Sequence, residues 1–245
     1  MLESLMLNLD NILFVLLPYV AVVLFLVGTI QRYRGKMYTY SSLSSQFLEN
    51  RHHFWALVPF HYGIIVILTG HLIGLLLPGS VLAWNSVPLR LYVLEVSALV
   101  FGLLTLTGLI AIVLRRVNDV KVRFVTSTAD WIVLGILFVQ VFTGLYVALF
   151  HGWGSSWYAS SAAPYLWSLI TLTPTAAHIA AMPFMVKLHI VSAYVIILLF
   201  PFTRLVHVLV VPNQYLWRKP QVVRWYGIRR LTAQRGQVGT DNKHR

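Results

Sequence analysis

The sequence of 245 residues contains no cysteine, and only 11% of its residues are charged. Without cysteine this chain can form no disulfide, no thiolate-bound iron–sulfur cluster and no thioether-linked c-type haem, so any metal must be bound through nitrogen or oxygen. The scarcity of charge, together with 58% hydrophobic residues and a mean hydropathy of +0.74, excludes an ordinary soluble domain. The composition therefore indicates an integral membrane protein.

Long uncharged stretches dominate the chain. A hydrocarbon core of about 30 Å requires roughly twenty apolar residues of helix to cross it, and five stretches meet that requirement. Numbered as spans one to five, they are Ile12–Ile30, Phe54–Leu77, Leu91–Leu114, Trp131–Phe150 and Pro183–Val211. The stretch Tyr165–Ala181 is shorter and contains Pro174, and we interpret it as a surface helix or packed loop. The predicted fold class is all-α, an integral membrane five-helix bundle over residues 1–212 followed by a basic tail over residues 213–245.

The net charge of +12 follows the membrane topology. The connection after span one carries four Lys or Arg residues, the next only Arg90, the third four, the long fourth only Lys187, and the tail eight. Because Lys and Arg collect on the cytoplasmic side, this alternation predicts an outer N-terminus and a cytoplasmic C-terminus, which requires an odd number of spans. Since topology explains the charge, we expect no nucleic-acid partner.

Four of the nine histidines lie inside apolar spans, His61 and His71 in span two and His189 and His207 in span five. A polar side chain in lipid is costly without a partner, so each is a candidate site residue, with a simple hydrogen bond between helices as the alternative. His61 and His71 are ten residues apart, about 15 Å of helix, and cannot serve one site. His189 and His207 are eighteen apart, roughly 27 Å along one face of a continuous helix.

Spans two and five run in opposite directions, so His71 and His189 are both expected toward the outer surface and His61 and His207 toward the inner one. Two imidazoles from facing helices at one depth are the arrangement that holds a haem iron from both sides. We therefore predict two b-type haems between spans two and five, and we exclude a single four-histidine zinc or copper centre. The unequal spacings of about 15 and 27 Å require helix tilt and slanted haem planes.

Small and basic residues accompany these histidines. Gly63, Gly70 and Gly74 form a stripe on span two that a flat porphyrin needs, although packing of small residues against another helix explains Gly70 and Gly74 equally well. Arg204, three residues before His207, is placed to pair with a haem propionate, and the alternative is that it extends to the membrane interface.

Several segments carry a resemblance to a known family. The chain resembles the gamma subunit of membrane-bound respiratory nitrate reductase from about Tyr19 to Arg224. The similar segments are QRYRG from Gln31, SSQFL from Ser44, FHYG from Phe60, GHLIG from Gly70, LFPFTRLVH from Leu199 and VPNQYLWRK from Val211. The ten- and eighteen-residue histidine spacings are also similar to that family's ligand pattern.

The resemblance implies a role for each site residue. His71 and His189 would be the axial ligands of an outer, distal haem, and His61 and His207 those of an inner, proximal haem. Arg90, six residues after Trp84, occupies the position of a basic residue that contributes to quinol oxidation in the family. Because arginine does not readily give up its proton, Arg90 is expected to hydrogen-bond or orient a quinol head group and not to relay protons.

The function that the resemblance implies is a di-haem cytochrome b subunit in a prokaryotic cytoplasmic (inner) membrane. It would oxidise quinol, such as menaquinol from the quinone pool, near the outer side and pass electrons through two haem b groups to a cytoplasmic iron–sulfur beta subunit. A molybdenum-containing alpha subunit would reduce nitrate, since no loop here is large enough for a catalytic domain. Alternatives are the same scaffold in a related molybdoenzyme or sulfur-cycle complex (nitrite oxidation, selenate or chlorate reduction), or a haem-free membrane anchor or transporter.

Overall fold

The computed structural model describes residues 9–35 and 53–209, and every regular element in these two ranges is helical. Five helices are long and apolar enough to cross a membrane, which confirms the prediction of an all-α protein with five spans. They are α1 (Leu9–Gly35), α2 (His53–Leu76), α3 (Pro88–Asn118), α4 (Thr128–Phe150) and α5 (Phe184–Phe202). The orientation of the termini and the boundary at residue 212 stay predictions, and the tail 213–245 lies outside the described residues.

Local sequence explains where the spans begin. α3 starts with Pro88 directly after the extended residue Val87, and proline at the first helical position loses no hydrogen bond. α4 starts with a capping box, in which the Ser127 side chain accepts from the Asp130 N–H and the Asp130 side chain accepts from the Ser127 N–H. Both residues satisfy backbone groups that a helix end would otherwise leave without a partner in lipid.

The connection between α4 and α5 is built from short helices, Gly154–Trp157, the π-helical Tyr158–Ala162, Ala163–Ile170 and Ala177–Ala180. The stretch that we interpreted as a surface helix or packed loop is indeed no sixth span among the described residues. It packs into the protein, because Tyr165 is only 1% exposed, its hydroxyl donates to the Phe14 carbonyl at 2.8 Å, and it accepts from the Tyr194 hydroxyl at 3.1 Å.

The helices pack in the order α2, α3, α4, α5, α1. α2 and α3 approach most closely, since a Cβ added to Gly108 would lie 2.7 Å from the Phe60 Cα and one added to Gly63 would lie 2.8 Å from the Phe101 carbonyl oxygen. Within the described part of the chain, α2 and α5 do not pack extensively against each other. The backbones of α2 and α5 therefore approach each other at few positions.

α5 is not the continuous helix that span five predicted. Its α-helical part ends at Leu199, a 3₁₀ turn covers Phe200–Phe202, Thr203 is extended, and a second 3₁₀ segment covers Arg204–Val208. Pro201 cannot donate the hydrogen bond that would continue the α-helix. The carbonyl of Pro201 instead accepts a hydrogen bond from the Arg32 side chain of α1.

Ion pairs join both ends of the segment 184–208 to other helices. Lys187 Nζ lies 2.9 Å from Asp10 Oδ2 on α1, and Arg204 Nε lies 2.6 Å from Asp130 Oδ1 at the start of α4. Asp130 is 6% exposed, so this carboxylate is nearly removed from solvent and needs the partner.

We expect Gly108→Ala to lower the free energy of unfolding by about 1–3 kcal/mol, because the added methyl group meets the Phe60 backbone, which cannot move away like a flexible side chain. The matched control is Gly135→Ala in α4, where nothing lies within 4 Å of the added Cβ. Thermal unfolding of both variants in the same detergent, followed by helical circular dichroism, measures the difference. Equal melting temperatures would show that the α2–α3 contact is looser than described.

Candidate haem-binding site

The structure brings the four intramembrane histidines together as two pairs. The ring centroids of His61 and His207 are 6.1 Å apart, and those of His71 and His189 are 6.3 Å apart. With metal–nitrogen bonds of about 2 Å and ring radii of about 1.1 Å, two imidazoles on opposite sides of one metal ion have centroids about 6 Å apart. Both separations match that value.

The break in α5 removes the conflict between the two histidine spacings. The distance of roughly 27 Å assumed five continuous α-helical turns from His189 to His207. Since the chain leaves the α-helical path after Leu199 and turns at Thr203, that distance does not apply. His207 and His61 therefore come into contact although the two sequence spacings differ.

Three of the histidines are held by their own segment. Nδ1 of His61 lies 2.8 Å from the Leu57 carbonyl, that of His71 2.9 Å from the Ile67 carbonyl, and that of His207 2.7 Å from the Arg204 carbonyl. A carbonyl oxygen only accepts, so Nδ1 carries the proton in each case and Nε2 keeps its lone pair. This is the tautomer that metal-binding histidines use.

His189 is held from the neighbouring helix α4. Its Nδ1 lies 3.0 Å from the Gln140 carbonyl and 3.1 Å from the Thr143 hydroxyl, and its Nε2 lies 3.1 Å from Gln140 Nε2. The Ser192 hydroxyl in turn donates to Gln140 Oε1. Sequence reasoning missed Gln140 and Thr143, although polar residues three apart in an otherwise apolar span point to a buried polar face.

Gly144 provides the space for the His189 ring. A Cβ added to Gly144 would lie 2.9 Å from His189 Cε1 and 3.4 Å from its Nδ1. Any larger residue on this face of α4 would push the imidazole toward α2. Gly144 is one residue after Thr143, so a single turn of α4 both binds and positions His189.

The glycine stripe on α2 has three different environments. Gly63 faces α3, so the expectation that it borders a porphyrin was wrong and its role is close helix packing. Gly74 faces the Tyr158 ring, 2.8 Å from an added Cβ. Nothing lies within 4 Å of a Cβ at Gly70, so this is the one position of the stripe that borders open space beside His71.

These residues fit a haem. The donor set is two neutral imidazoles at each of two depths, which is what iron needs in addition to the four porphyrin nitrogens. The open space beside Gly70, next to His71, is compatible with a flat group. In the described ranges no group of three or more His, Asp or Glu side chains could hold a bare metal ion.

The two arginines of the predicted site have protein partners. Besides its ion pair with Asp130, Arg204 donates from Nη2 to the Val125 carbonyl at 2.8 Å. Arg90 lies over the Trp84 ring, 5.1 Å from its centroid, and its carbonyl accepts from Trp84 Nε1. These contacts place Arg204 at the His61–His207 end and Arg90 at the other end, while the propionate and quinol roles stay predictions.

The fold and these pairs define a class, membrane helix bundles with two opposed imidazole pairs at different depths. The family model of the nitrate reductase gamma subunit matches residues 10–226, and the chain belongs to this family. A respiratory nitrate reductase 1 gamma chain from Escherichia coli K12 is 34% identical over 221 residues, covering 88% of this chain and 97% of that one. A nitrate reductase gamma chain from Bacillus subtilis is 30% identical over 217 residues, covering 87% and 97%.

A third relative has a different organisation. The nitrate reductase-like protein NarX of Mycobacterium tuberculosis H37Rv is 31% identical over 206 residues, which are 82% of this chain but only 32% of that protein. The same membrane unit therefore also occurs as part of a longer polypeptide. Family membership makes the present chain a multi-pass membrane subunit of an oxidoreductase complex.

We expect Gly144→Ala to disturb the His71–His189 pair selectively, because the new methyl group overlaps the His189 ring while the His61–His207 pair lies about two helical turns or more away. Visible spectra of the purified protein after stepwise reduction should show one altered haem component and one unchanged component. Gly135→Ala, on the same helix with no neighbour near its Cβ, serves as the control. A uniform loss of both components would instead indicate general misfolding.

Proposed function

We propose that this chain is the di-haem cytochrome b subunit that oxidises quinol and delivers electrons to the rest of a nitrate reductase complex. The observation that supports the proposal most directly is the pair of imidazole contacts, with centroids 6.1 and 6.3 Å apart on two facing elements. The names of the Escherichia coli and Bacillus subtilis relatives support the assignment to nitrate reductase.

The histidines are the proposed axial ligands, His71 and His189 for the outer, distal haem b and His61 and His207 for the inner, proximal one. Each bound haem supplies a carrier for one electron at a time. The chain's part is to fix the depth and the ligands, and the carbonyls bonded to Nδ1 keep each imidazole neutral and increase its basicity. The two depths are about 15 Å apart along α2.

The partners are proposed to lie at the His61–His207 end, which the charge pattern predicts to be cytoplasmic. That end carries Arg115 and Arg116 in the last turn of α3, and Lys121 and Arg123 in the short helix Val120–Phe124. A basic surface of this kind favours an acidic docking face on an iron–sulfur beta subunit, although topology alone also accounts for it. Electrons would continue from there to a molybdenum-containing alpha subunit.

The quinol site is proposed at the opposite end, beside the His71–His189 pair and in contact with the quinone pool in a prokaryotic inner membrane. Arg90 lies at the start of α3, and its side chain is held on Trp84. A guanidinium in this place donates hydrogen bonds to a quinol oxygen without losing its own proton. Proton release at this end, with inward electron transfer, would contribute to the membrane potential.

Single histidine variants test the ligand assignment. His71→Ala is expected to lower the haem content from about two to about one per chain and to abolish reduction by a quinol analogue. His207→Ala is expected to lose the other haem, and therefore to lose nitrate-driven reoxidation. His151→Ala is the matched control, because His151 lies outside the spans beside Tyr146.

Pyridine haemochrome quantitation and reduced-minus-oxidised spectra of membranes containing the assembled complex measure both effects. A wild-type protein without a Soret band, or single variants that keep about two haems per chain, would contradict the proposal. A haem-free anchor or transporter is the function that such a result would favour.

We expect Arg90→Ala to weaken quinol-dependent haem reduction while the dithionite-reduced spectrum stays unchanged. Loss of one hydrogen bond from a charged donor, about 1.5–3 kcal/mol, corresponds to about a 10- to 100-fold increase in the quinol concentration for half-maximal rate. Arg90→Lys should retain a larger part of the rate, because its ammonium group still donates. An unchanged quinol dependence in Arg90→Ala would remove Arg90 from the site.

A further inference from the structure

A polar cluster that the histidine pairs do not use joins α3 to two short helices, Pro78–Asn85 and Gly154–Trp157. Glu95 Oε1 on α3 accepts from the Ser155 backbone N–H at 2.8 Å and from the Ser155 hydroxyl at 2.6 Å. The Ser155 hydroxyl accepts from Asn85 Nδ2 at 2.9 Å, and the same amide group donates to the Ser156 hydroxyl at 2.9 Å. One serine hydroxyl therefore connects Glu95 with Asn85.

Two acceptor atoms of this cluster have no donor among the residues that the structure describes. Asn85 is only 8% exposed, and its Oδ1 is buried without a hydrogen-bond partner in that part of the chain. Glu95 uses Oε1 for both of its hydrogen bonds, and Oε2 accepts none from the described residues. The missing donor at the buried Asn85 Oδ1 costs about 1–3 kcal/mol, whereas Glu95 Oε2 is not buried and can accept a hydrogen bond from a hydroxyl group.

The cluster lies close to the His71–His189 pair. Ser155 and Tyr158 are three residues apart in one continuous helical run, which places them about 5 Å apart on the same face. The Tyr158 ring centroid is 5.2 Å from that of His71, and its hydroxyl donates to the His71 carbonyl at 3.0 Å. Asn85 also follows Trp84, the residue on which Arg90 is held.

We propose that Glu95 binds one hydroxyl group of the quinol and accepts its proton, and that Asn85 positions Glu95 through the Ser155 hydroxyl. The inference rests on the proposed function, since it assigns a step of quinol oxidation. The quinol O–H bond breaks and its proton bonds to Glu95 Oε2, and the haem b that His71 and His189 would hold would be the acceptor of the electron. A second proton and a second electron leave in the same way after Glu95 has released the first proton, and the product is the quinone.

Glu95 is suited to a step that Arg90 cannot perform. A guanidinium stays protonated at physiological pH and has no acceptor atom, whereas a carboxylate accepts a proton and releases it. Glu95 is half-buried, so it borders both the protein interior and the surface at this end. Among the described residues of the five spans, the carboxylates of Asp10 and Asp130 are already paired with Lys187 and Arg204.

The test uses membranes that contain the assembled complex, with a short-chain menaquinol analogue as the reductant. Glu95→Gln keeps the hydrogen-bonding shape but cannot take a proton, so the maximal rate of haem reduction should fall at least about 100-fold, with haem content and dithionite-reduced spectrum unchanged. Asn85→Ala should lower the rate less, about fivefold, because Glu95 loses only the support of one neutral hydrogen bond through Ser155. Ser97→Ala is the matched control on α3, because its hydroxyl bonds only to the Leu94 carbonyl of its own helix.

A second pair of variants separates proton transfer from structural support. Glu95→Asp should keep part of the rate, and added acetate or formate should restore part of the rate of Glu95→Ala, since a small carboxylate can take the missing group's place. Glu95→Gln with the wild-type rate, or Glu95→Ala that no carboxylate restores, would overturn the inference while wild-type reduction by quinol leaves the proposed function intact. A wild-type complex that quinol does not reduce would overturn both.

Discussion

The opposition of imidazoles at two depths is the constraint on which the rest of this structure depends. A neutral imidazole in lipid needs a partner, and each ring here has a backbone carbonyl at Nδ1 and another imidazole about 6 Å away. Two helices that are not extensively packed against each other must still be held at that separation. α3, which packs against α2, and α4 and α1, which pack against α5, provide this positioning.

Positioning is achieved by different means at the two depths. At the His71–His189 level, α4 contributes Gly144 for space and the Gln140 carbonyl as acceptor, so the ring is fixed from the side. At the His61–His207 level, the chain breaks at Pro201, and the Arg204–Asp130 ion pair anchors the segment that carries His207. The His71–His189 level thus depends on helix packing, and the His61–His207 level depends on a turn and a buried charge pair. In His61, His71 and His207 the backbone carbonyl binds Nδ1, which leaves Nε2 available.

Sequence alone predicted the five spans and the partner of each histidine, because apolar length and Lys/Arg asymmetry are local signals and antiparallel helices fix relative depth. It could not predict which helix each glycine faces, since a helix that is apolar all round has no stripe that marks its packing face. Gly63 was assigned to the wrong neighbour for this reason. Likewise, the ion pair between Arg204 and Asp130 and the contacts of α4 with His189 join residues that are far apart in the chain. The path of the chain after Leu199 depends on a contact with α1.

The coordination of the two proposed haem irons is the quantity that tests this account most directly. Low-temperature electron paramagnetic resonance of the oxidised, purified protein reports the spin state and axial ligands of each ferric haem. The account predicts two separate low-spin signals, each typical of an iron with two imidazole ligands, in equal amounts. Absence of haem, a single signal, or high-spin signals from iron that lacks one axial ligand would contradict it.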